Sequence, residues 1–426
     1  MKRNLFLYFL LVFVFLLIGV STLTGEFIAI AVIFLVLGIT SLITQPEAPN
    51  LNFERRFSPT RIRQDVPLAI ELQVTNTGEK RIDQLSVTDY LPRGIEVLDG
   101  NTRLLTTLEP EESATLRYTI QARRGQYSDF TTAISSFQAV DAYQWSGRRE
   151  DTTPLLVYPQ TENLSPVNFR PPQTHGFAGS IASRQGGSGV DFFTIREYQS
   201  GDPQRQINWK ASARLQDNRL YTNVFEQEQV ANVGIILDAR QRINLRMNGE
   251  SLFEHSVNAA AALGERFIAD GHRVSLLIYG SGKRRVFPGY GRMQQRRILD
   301  AVSSVTPVIN FALNNFDSLP VQFFPPKSQI VLISPILDDD IPYIRKMRMR
   351  GYGVMVVSPN PVKLAAGEDN DSNAFRLAIA ERAFMIQQLR QIGAQVIDWD
   401  VKDTLESTLQ RAAFSLQGHQ RTGRGF

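Results

Sequence analysis

Residues 196–228 contain closely spaced carboxylates and basic side chains, and carboxylates are among the groups that general acid–base catalysis uses. The charged residues considered in this segment are Arg196, Glu197, Asp202, Arg205, Lys210, Arg214, Glu226 and Glu228. Two interpretations are open: a carboxylate-centred active site, or an ion-paired network that fixes the segment against the next domain. The segment offers neither an evident nucleophile nor a nearby histidine, so the network is favoured and no catalytic residue is assigned.

The sequence around Asp202 predicts how this segment folds locally. Asp202 precedes Pro203, and this order suits a helix entry, because proline at the first helical position wastes no donor and the carboxylate accepts backbone N–H groups. A short helix is expected to follow. We expect Trp209 to pack inward from that helix.

A second set of candidate residues follows apolar runs in the C-terminal half. Asp238 ends the run at 230–238, and Asp338 follows the run at 329–334. Strands are predicted at 230–238, 273–279, 329–334, 352–358 and 394–397, and helices at 251–270, 292–304, 339–350, 373–392 and 402–416. This alternation predicts a parallel, doubly wound α/β sheet over residues 229–418. Such sheets bind ligands at the carboxyl ends of their strands, where both aspartates are expected.

Residues 51–158 are predicted to form an all-β domain. Apolar and polar residues alternate at 68–74 and 114–120, and turn-forming residues separate such stretches. Repeated short strands without a helical period favour an immunoglobulin-like sandwich. Residues 159–189 are rich in Pro, Gly and Ser and predict an irregular linker, which leads into the charged segment at 190–228.

The first 45 residues contain two uncharged apolar runs, at 5–20 and 27–43. A helix needs about 20 residues to cross the hydrocarbon layer, so the runs predict a two-helix transmembrane hairpin. A cleaved signal peptide is the alternative, but it leaves the second run unexplained. Lys2 and Arg3 precede the first run, and four arginines between Arg55 and Arg63 follow the second. The positive-inside rule therefore predicts a two-pass protein of the cell membrane, in contact with the lipid bilayer, with both termini and the following domains in the cytoplasm.

Composition and spacing argue against several other chemistries. The 426 residues carry a net charge of only +4, and the basic residues are dispersed, so no nucleic-acid partner is predicted. The four histidines, at 175, 255, 272 and 419, lack metal or catalytic-triad spacing. The sequence Gly280-Ser281-Gly282-Lys283 lacks the first glycine of a phosphate-binding loop. No cofactor is therefore predicted.

The segment that begins at Gly189 resembles the defining motif of the bacterial and archaeal family called domain of unknown function 58. The matching elements are Arg196-Glu197-Tyr198, Gly201-Asp202-Pro203 with Arg205, Asn208-Trp209-Lys210, Arg214 and Glu226-Gln227-Glu228. Their order and spacing make the resemblance specific, and the layout of nearly the whole chain agrees with it. The resemblance implies a domain similar to a von Willebrand factor type A domain, and a MoxR-type ATPase as protein partner, because relatives are commonly encoded beside such ATPases.

The loop after the first strand departs from the metal-binding pattern that this resemblance implies. Metal-binding type A domains have Asp-x-Ser-x-Ser there, whereas this chain has Asp238-Ala239-Arg240-Gln241-Arg242. Arginine has no lone pair to offer a cation, so no metal is predicted. One hypothesis is that Arg240 or Arg242 lies between Asp238 and Asp338 and supplies the positive charge instead. The alternative leaves both arginine side chains in solvent.

These observations favour a non-catalytic, membrane-anchored interaction or assembly protein. In this interpretation the type A-like domain binds a protein partner, and the family motif contributes either to that binding or to structure. A membrane-bound hydrolase centred on Asp202 or Glu226 remains an alternative. So does an extracellular adhesion module, which requires the opposite topology.

Overall fold

The computed structural model describes residues 3–43, 48–137, 144–167, 181–214, 219–243, 245–247, 249–281, 284–308, 315–366 and 372–422. The chain divides into two compact units, residues 1–158 and 159–426. Each unit is built around its own β-structure, and the two are described separately below.

The first unit begins with a pair of packed helices, α1 (Arg3–Thr22) and α2 (Gly25–Ile43). The ring of Phe15 on α1 stacks on Phe34 of α2, with ring centroids 5.8 Å apart. Crossing a membrane takes about 20 predominantly apolar residues. Among the residues that the structure describes, no helix is long and apolar enough to do so. The transmembrane hairpin predicted for residues 1–45 is therefore wrong, and the N-terminal element is a helix pair.

Eleven strands follow among the described residues of the first unit. They are β1 (Leu51–Arg56), β2 (Arg61–Arg63), β3 (Leu68–Asn76), β4 (Ile82–Tyr90), β5 (Ile95–Gly100), β6 (Arg103–Leu108), β7 (Ser113–Ala122), β8 (Gly125–Tyr127), β9 (Phe130–Phe137), β10 (Gln144–Asp151) and β11 (Leu155–Tyr158). Two antiparallel four-stranded sheets, β1-β3-β7-β5 and β10-β9-β4-β6, contribute to one hydrophobic core, with Leu72 and Leu85 among its members. The alternation of β3 places its apolar residues in that core, because successive side chains of a strand point to opposite faces.

A buried arginine links three strands of this first unit. The guanidinium of Arg55 donates to Asp89 at 2.7 Å and to Asp151 at 2.8 Å, and it lies 4.6 Å from the ring centroid of Phe130. Tyr118 donates its hydroxyl to Asp89 at 2.6 Å. Burial raises the pKa of Tyr118, and the neighbouring Asp89 carboxylate adds to the effect, so the phenol stays a donor. Arg55 is thus a core residue rather than a basic flank of the helix pair.

The second unit contains a β-ribbon followed by an α/β domain. Its elements are β12 (Ile181–Glu197), α3 (Trp209–Arg214), β13 (Tyr221–Gln229), β14 (Asn232–Asp238), β15 (Arg246–Met247), β16 (Glu250–Ser251), α4 (Leu252–Ala269), β17 (Arg273–Tyr279), β18 (Arg284–Gly289), α5 (Gly291–Ser303), β19 (Gln329–Ile333), α6 (Ile341–Met349), β20 (Gly353–Pro359), α7 (Pro361–Ala366), α8 (Asn373–Gln391), β21 (Gln395–Trp399) and α9 (Leu405–Thr422).

Strand β12 begins inside the predicted linker, so the linker prediction is wrong at its C-terminal end. Residues 181–189, which were expected to be irregular, form the first half of β12 and pair with β13 in an antiparallel ribbon. The pairing register shifts between Ser183 and Gly186 and again between Gly187 and Phe192, so the glycine-rich stretch is accommodated by local irregularity within a strand. Residues 168–180 of the predicted linker lie outside the described part of the chain.

Six strands form the main sheet of the second unit, in the order β18-β17-β14-β19-β20-β21. Five of these strands are mutually parallel: β17, β14, β19, β20 and β21. The edge strand β18 runs antiparallel to β17. The prediction of a wholly parallel sheet is therefore wrong at this edge. Only residues 280–283 join β17 to β18, and so short a connection permits a hairpin but not the crossover that parallel strands need.

His272 is buried just before β17, and its titration makes the stability of the fold depend on pH. It is 2% exposed, and its Nδ1 accepts the N–H of Ala231 at 3.4 Å, which requires an unprotonated Nδ1. Burial lowers the pKa of His272; the positive charge of Arg266 adds to the effect, and Asp270 acts in the opposite direction. The folded protein therefore keeps this imidazole neutral at pH values where an unfolded chain protonates it.

We expect the free energy of unfolding to decrease as the pH falls below about 6.5. There the unfolded chain binds a proton at His272 that the folded chain does not, at a cost of at most about 1.4 kcal/mol for each pH unit. Urea unfolding at about pH 7, 6 and 5 measures this slope. His272→Gln keeps an acceptor for Ala231 and is expected to reduce the slope, whereas His255→Gln serves as a histidine control. Equal slopes for wild type and His272→Gln would contradict this account.

Candidate functional site

The candidate site lies at the carboxyl ends of β14 and β19, the neighbouring strands at the centre of the sheet. Asp238 is the last residue of β14, and Ser334 directly follows β19. β14 packs closely against the ring of Phe324 at Gly234, where any Cβ atom would collide with that ring. At the end of β17, Gly280 has φ of +101°, and a Cβ there would lie 2.6 Å from the backbone nitrogen of Arg240. Both glycines therefore let the backbone pack closely around the site.

Arg240 folds back onto the aspartate two residues before it. Its Nε donates to Oδ1 of Asp238 at 2.9 Å, and its Nη2 donates to Oδ2 at 2.6 Å. The backbone N–H of Arg240 also donates to Oδ1, at 3.1 Å. Ser334 also donates its hydroxyl to Oδ2 of Asp238, at 2.8 Å. The Asp238 carboxylate thus accepts hydrogen bonds from two strand ends at once.

The same guanidinium reaches a second carboxylate one hundred residues further along the chain. Nη1 and Nη2 of Arg240 donate to the two oxygens of Asp340 at 2.9 and 3.0 Å, in the bidentate geometry that suits an arginine fork. Asp340 also accepts the backbone N–H of Leu337 at 3.1 Å. The ring centroid of Phe316 lies 3.9 Å from the guanidinium carbon, a cation–π contact. Arg240 therefore bridges Asp238 and Asp340.

Burial and charge make this bridge strong. Asp238, Arg240 and Asp340 are 1%, 2% and 0% exposed. Burial on its own lowers the pKa of Arg240, but its hydrogen bonds to Asp238 and Asp340 outweigh that effect and the net pKa is raised. The guanidinium therefore remains charged, and two carboxylates surround one fixed cation. We call Asp238, Arg240, Ser334 and Asp340 the Arg240 cluster.

Arg242 and Asp339 form a second, more exposed pair beside the Arg240 cluster. Arg242 donates to both oxygens of Asp339, at 2.8 and 3.1 Å, and lies 3.4 Å from Asp340. Its hydrogen bonds are the main cause of the lowered pKa of Asp339. Neither side chain of this pair is buried, at 24% and 47% exposed. The pair lies at the solvent boundary of the site.

The structure brings together Asp238 and Arg240 but not Asp338, which is exposed. Asp340 takes the position that the hypothesis had given to Asp338. Three consecutive aspartates follow β19, and sequence reasoning chose the wrong one. These residues form a single turn before α6, and Asp340 is the buried one of the three. Because an arginine has no lone pair, the cluster as built does not suit a metal ion. In the described part of the chain no group of three or more His, Asp or Glu side chains is arranged to hold one.

A second buried arginine, which the sequence did not reveal, ties the next two strand ends. Arg382 on α8 donates to Asp398 of β21 at 2.9 and 2.7 Å and to the hydroxyl of Ser358 on β20 at 2.9 Å. It also donates to the carbonyl of Pro335 at 3.2 Å, just past β19. The carboxyl edge from β14 to β21 is therefore closed by two internal guanidinium groups.

The family-motif residues form a separate group on the ribbon and on α3. Arg196 donates to Asp202 at 2.6 Å, and the other oxygen of Asp202 accepts the backbone N–H of Gln199 at 2.9 Å. Tyr198 donates its hydroxyl to the Asp202 carbonyl at 3.1 Å. The hydrogen bond from Arg196 is the largest cause of the lowered pKa of Asp202. Glu197 accepts a hydrogen bond from Arg219 at 3.2 Å.

Asn208 connects α3 to the ribbon. Its side-chain oxygen accepts the N–H of Ala211 at 2.9 Å, as a helix cap does, and its amide nitrogen donates to Asn223 on β13 at 2.7 Å. Trp209, which was expected to pack inward, is 66% exposed, because Asn208 and Ser212 instead make the contacts that hold the helix. Arg205, Lys210 and Arg214 are also exposed. Glu226 and Glu228 lie on β13, and their side chains are outside the described part of the structure.

Comparison with known proteins places both groups in one family region. Residues 194–365 match the family described as Protein of unknown function DUF58. The DUF58 region contains the motif residues from Arg196 to Glu228 and the whole Arg240 cluster. The uncharacterized protein YeaD of Bacillus subtilis (strain 168) is 27% identical over 207 residues, and both findings support the DUF58 family. That similarity covers 47% of this chain and 49% of YeaD, so the chain spans about half the length of this relative.

Two of the similar solved structures each cover about a quarter of the chain. A fragment of alpha-2-macroglobulin from Escherichia coli has 18% identity and a TM-score of 0.22, and covers 28% of this chain and 20% of its own. The cupredoxin domain of amoB from Nitrosocaldus yellowstonii has 10% identity and a TM-score of 0.20, and covers 26% of this chain and 90% of its own. Similarities at this level carry no argument about fold or function.

Proposed function

We propose that this DUF58 protein is a non-catalytic binding protein whose α/β domain is von Willebrand factor type A-like and binds a protein partner at the carboxyl edge of its sheet. The observation that carries the proposal is the Arg240 bridge between Asp238 and Asp340. A fixed guanidinium supplies there the positive charge that a cation brings to other sites of this kind, so binding needs no metal.

The state of the carboxylates supports binding rather than hydrolysis. Asp238 and Asp340 both accept several hydrogen bonds from within the protein, and these bonds oppose the burial that raises the pKa of Asp340. Asp202, the candidate centre of the alternative hydrolase, is held by Arg196 and by a backbone N–H, and its pKa is lowered. A general base works best with a pKa near the operating pH. A carboxylate held as the anion by two donors is suited to structure or recognition.

The partner surface that we propose surrounds the Arg240 cluster. Leu337 is 38% exposed beside Asp338 and the pair of Arg242 with Asp339. A cavity of 290 Å³ opens nearby, lined by apolar residues such as Phe316 and by Lys346 and Arg350 of the α6 region. An apolar contact with charged groups around it is the usual composition of a protein interface. A MoxR-type ATPase is the candidate partner that the family resemblance implies.

The test measures binding of the purified full chain to the purified MoxR-type ATPase of the same organism, by biolayer interferometry. The double variant Leu337→Ser with Asp338→Lys is expected to weaken binding by about tenfold or more, as interface hot spots do. The matched control is Leu377→Ser, because Leu377 is exposed on α8 and lies outside the proposed surface. Failure of the wild-type chain to bind would rule out this ATPase, and equal effects of both variants would rule out this surface.

The proposal that partner binding needs no metal ion gives a separate prediction. Titration of the full chain with millimolar Mg²⁺ in a calorimeter is expected to show no saturable heat, because the guanidinium occupies the place between the two carboxylates. Arg240→Ser replaces it by a hydroxyl and leaves four oxygen-bearing side chains around the gap. This variant is expected to gain Mg²⁺ binding and to be stabilised by the ion. Saturable binding to the wild-type cluster, abolished by Asp238→Asn, would overturn the proposal.

A further inference from the structure

A cluster of exposed apolar side chains lies at the β18 edge of the sheet. Phe287, Tyr290 and Met293 fall within seven residues of one another and are 72%, 77% and 63% exposed. The ring of Phe287 rests against that of Phe323, with centroids 5.3 Å apart. Single exposed apolar residues need no explanation, but three within seven residues make this edge a candidate interaction surface.

The backbone holds these side chains in a defined arrangement. Gln294 is 2% exposed and donates its amide to the carbonyls of Phe287 on β18 and Val274 on β17, at 2.7 and 2.8 Å. The pairing register of β18 shifts between Val274 and Leu276, opposite Phe287 and Pro288. Proline and an irregular register protect an edge strand from pairing with another strand. This edge is therefore suited to side-chain docking rather than to strand addition.

The charge around this cluster is strongly positive. Residues 284–300 contain five arginines and one aspartate, a net charge of +4, which equals that of the whole chain. All five arginines are exposed. Arg292 lies in the first turn of α5, at the positive end of the helix dipole, and Arg296 lies one turn further, so both positions are locally unfavourable. Local electrostatic conflict of this kind is expected where a partner supplies the opposite charge.

This surface is distinct from the Arg240 cluster. Because β18 runs antiparallel to β17, Arg284 pairs with Ile278 near the carboxyl edge, and Gly289 pairs with Val274 at the opposite edge. Asp238 pairs with Tyr279, at the carboxyl edge. Tyr290 and the start of α5 therefore lie at the amino edge of the sheet, and a partner bound there leaves the Arg240 cluster open.

We infer that Phe287, Tyr290, Met293, Arg292 and Arg296 form a second docking surface, for an acidic protein segment that carries an apolar anchor. Tyrosine, methionine and arginine are enriched at protein interfaces. The arginine fork matches protein carboxylates in bidentate geometry. A second copy of this chain is disfavoured as occupant, because a symmetric contact places arginine against arginine. The contact with Phe323 holds the ring of Phe287 in one position. A fixed apolar side chain favours a protein partner with a matching pocket over a lipid surface.

The experiment is site-specific photo-crosslinking of the full chain in cells of its own organism, with p-benzoylphenylalanine at position 290. The expected product is one crosslinked protein whose attached peptide has more Asp and Glu than Lys and Arg. Arg292→Glu with Arg296→Glu is expected to reduce the yield by about tenfold or more. The same probe at position 384, exposed on α8, is the control for surface position.

Several outcomes would overturn the inference. They are no crosslink beyond that at position 384, a crosslink only to lipid or to a second copy of this chain, and an attached peptide without acidic excess. The Leu337→Ser, Asp338→Lys variant is expected to keep the crosslink at position 290. Loss of ATPase binding in that variant therefore tests the proposed function separately from this surface.

Discussion

The Arg240→Met variant is expected to lose about 3–5 kcal/mol of unfolding free energy, because it leaves two buried carboxylates without their shared cation. Asp238 and Asp340 are at most 1% exposed, so water cannot replace the lost hydrogen bonds without opening the site. Urea unfolding with pulsed hydrogen exchange measures the loss, read from peptides of β14 and β19. These strands carry the cluster and report on the second unit alone.

Two further variants show whether the charge is the cause. Arg242→Met removes a neighbouring arginine whose pair with Asp339 is partly exposed, and it is expected to cost much less, as surface ion pairs do. Adding Asp238→Asn and Asp340→Asn to Arg240→Met removes the unpaired charges and is expected to recover part of the loss. If Arg240→Met is no more destabilising than Arg242→Met, then the bridge does not hold the site together.

The second large effect is expected in the first unit, from Arg55→Met. The side chains of Arg55 and Asp89 are both 0% exposed, and Asp151 is 30% exposed, so the substitution leaves at least one fully buried carboxylate unpaired. A loss of about 3–5 kcal/mol is expected, as for other buried pairs broken from one side. The measurement is the same urea series, read from peptides of β3 and β4, which belong to the two different four-stranded sheets of the first unit.

The next residue provides the matched control. Arg56 pairs with Glu54 at 2.8 Å, but these side chains are 62% and 55% exposed. Arg56→Met is therefore expected to leave the exchange of β3 and β4 nearly unchanged. Similar losses for Arg55→Met and Arg56→Met would show that the position in the strand, and not the buried charge, determines the result.

The strands and helices of the second unit show how much of a fold local pattern reveals. The apolar run at 273–279 is β17 in the structure, and the helical period at 251–270 corresponds closely to α4. Such runs are visible because burial on both faces leaves little room for polar residues. β18 was missed because its sequence, RRVFPG, is short, charged and contains proline. Charged residues and proline keep an edge strand from pairing with another chain, and they also interrupt the apolar pattern by which a strand is recognised.

The apolar runs at the N-terminus show the opposite case. Two uncharged runs predict a membrane hairpin, but the described residues contain a packed helix pair with no span. The same prediction treats the four arginines after them as one basic flank. Arg55 instead lies in the interior of the first unit, where its side chain is 0% exposed. Its neighbour in sequence, Arg56, is exposed, and only the alternation of β1 and the position of Asp89 distinguish the two.

The types of residue at the candidate site follow from the sequence: an aspartate at the end of a buried strand, arginines where hydroxyl ligands stand in metal-binding loops, and acidic residues after another strand. Which of these residues meet depends on the tertiary structure. Arg240 and Asp340 are one hundred positions apart. Their contact depends on the pairing of β14 with β19 and on the turn before α6, so no local pattern encodes it.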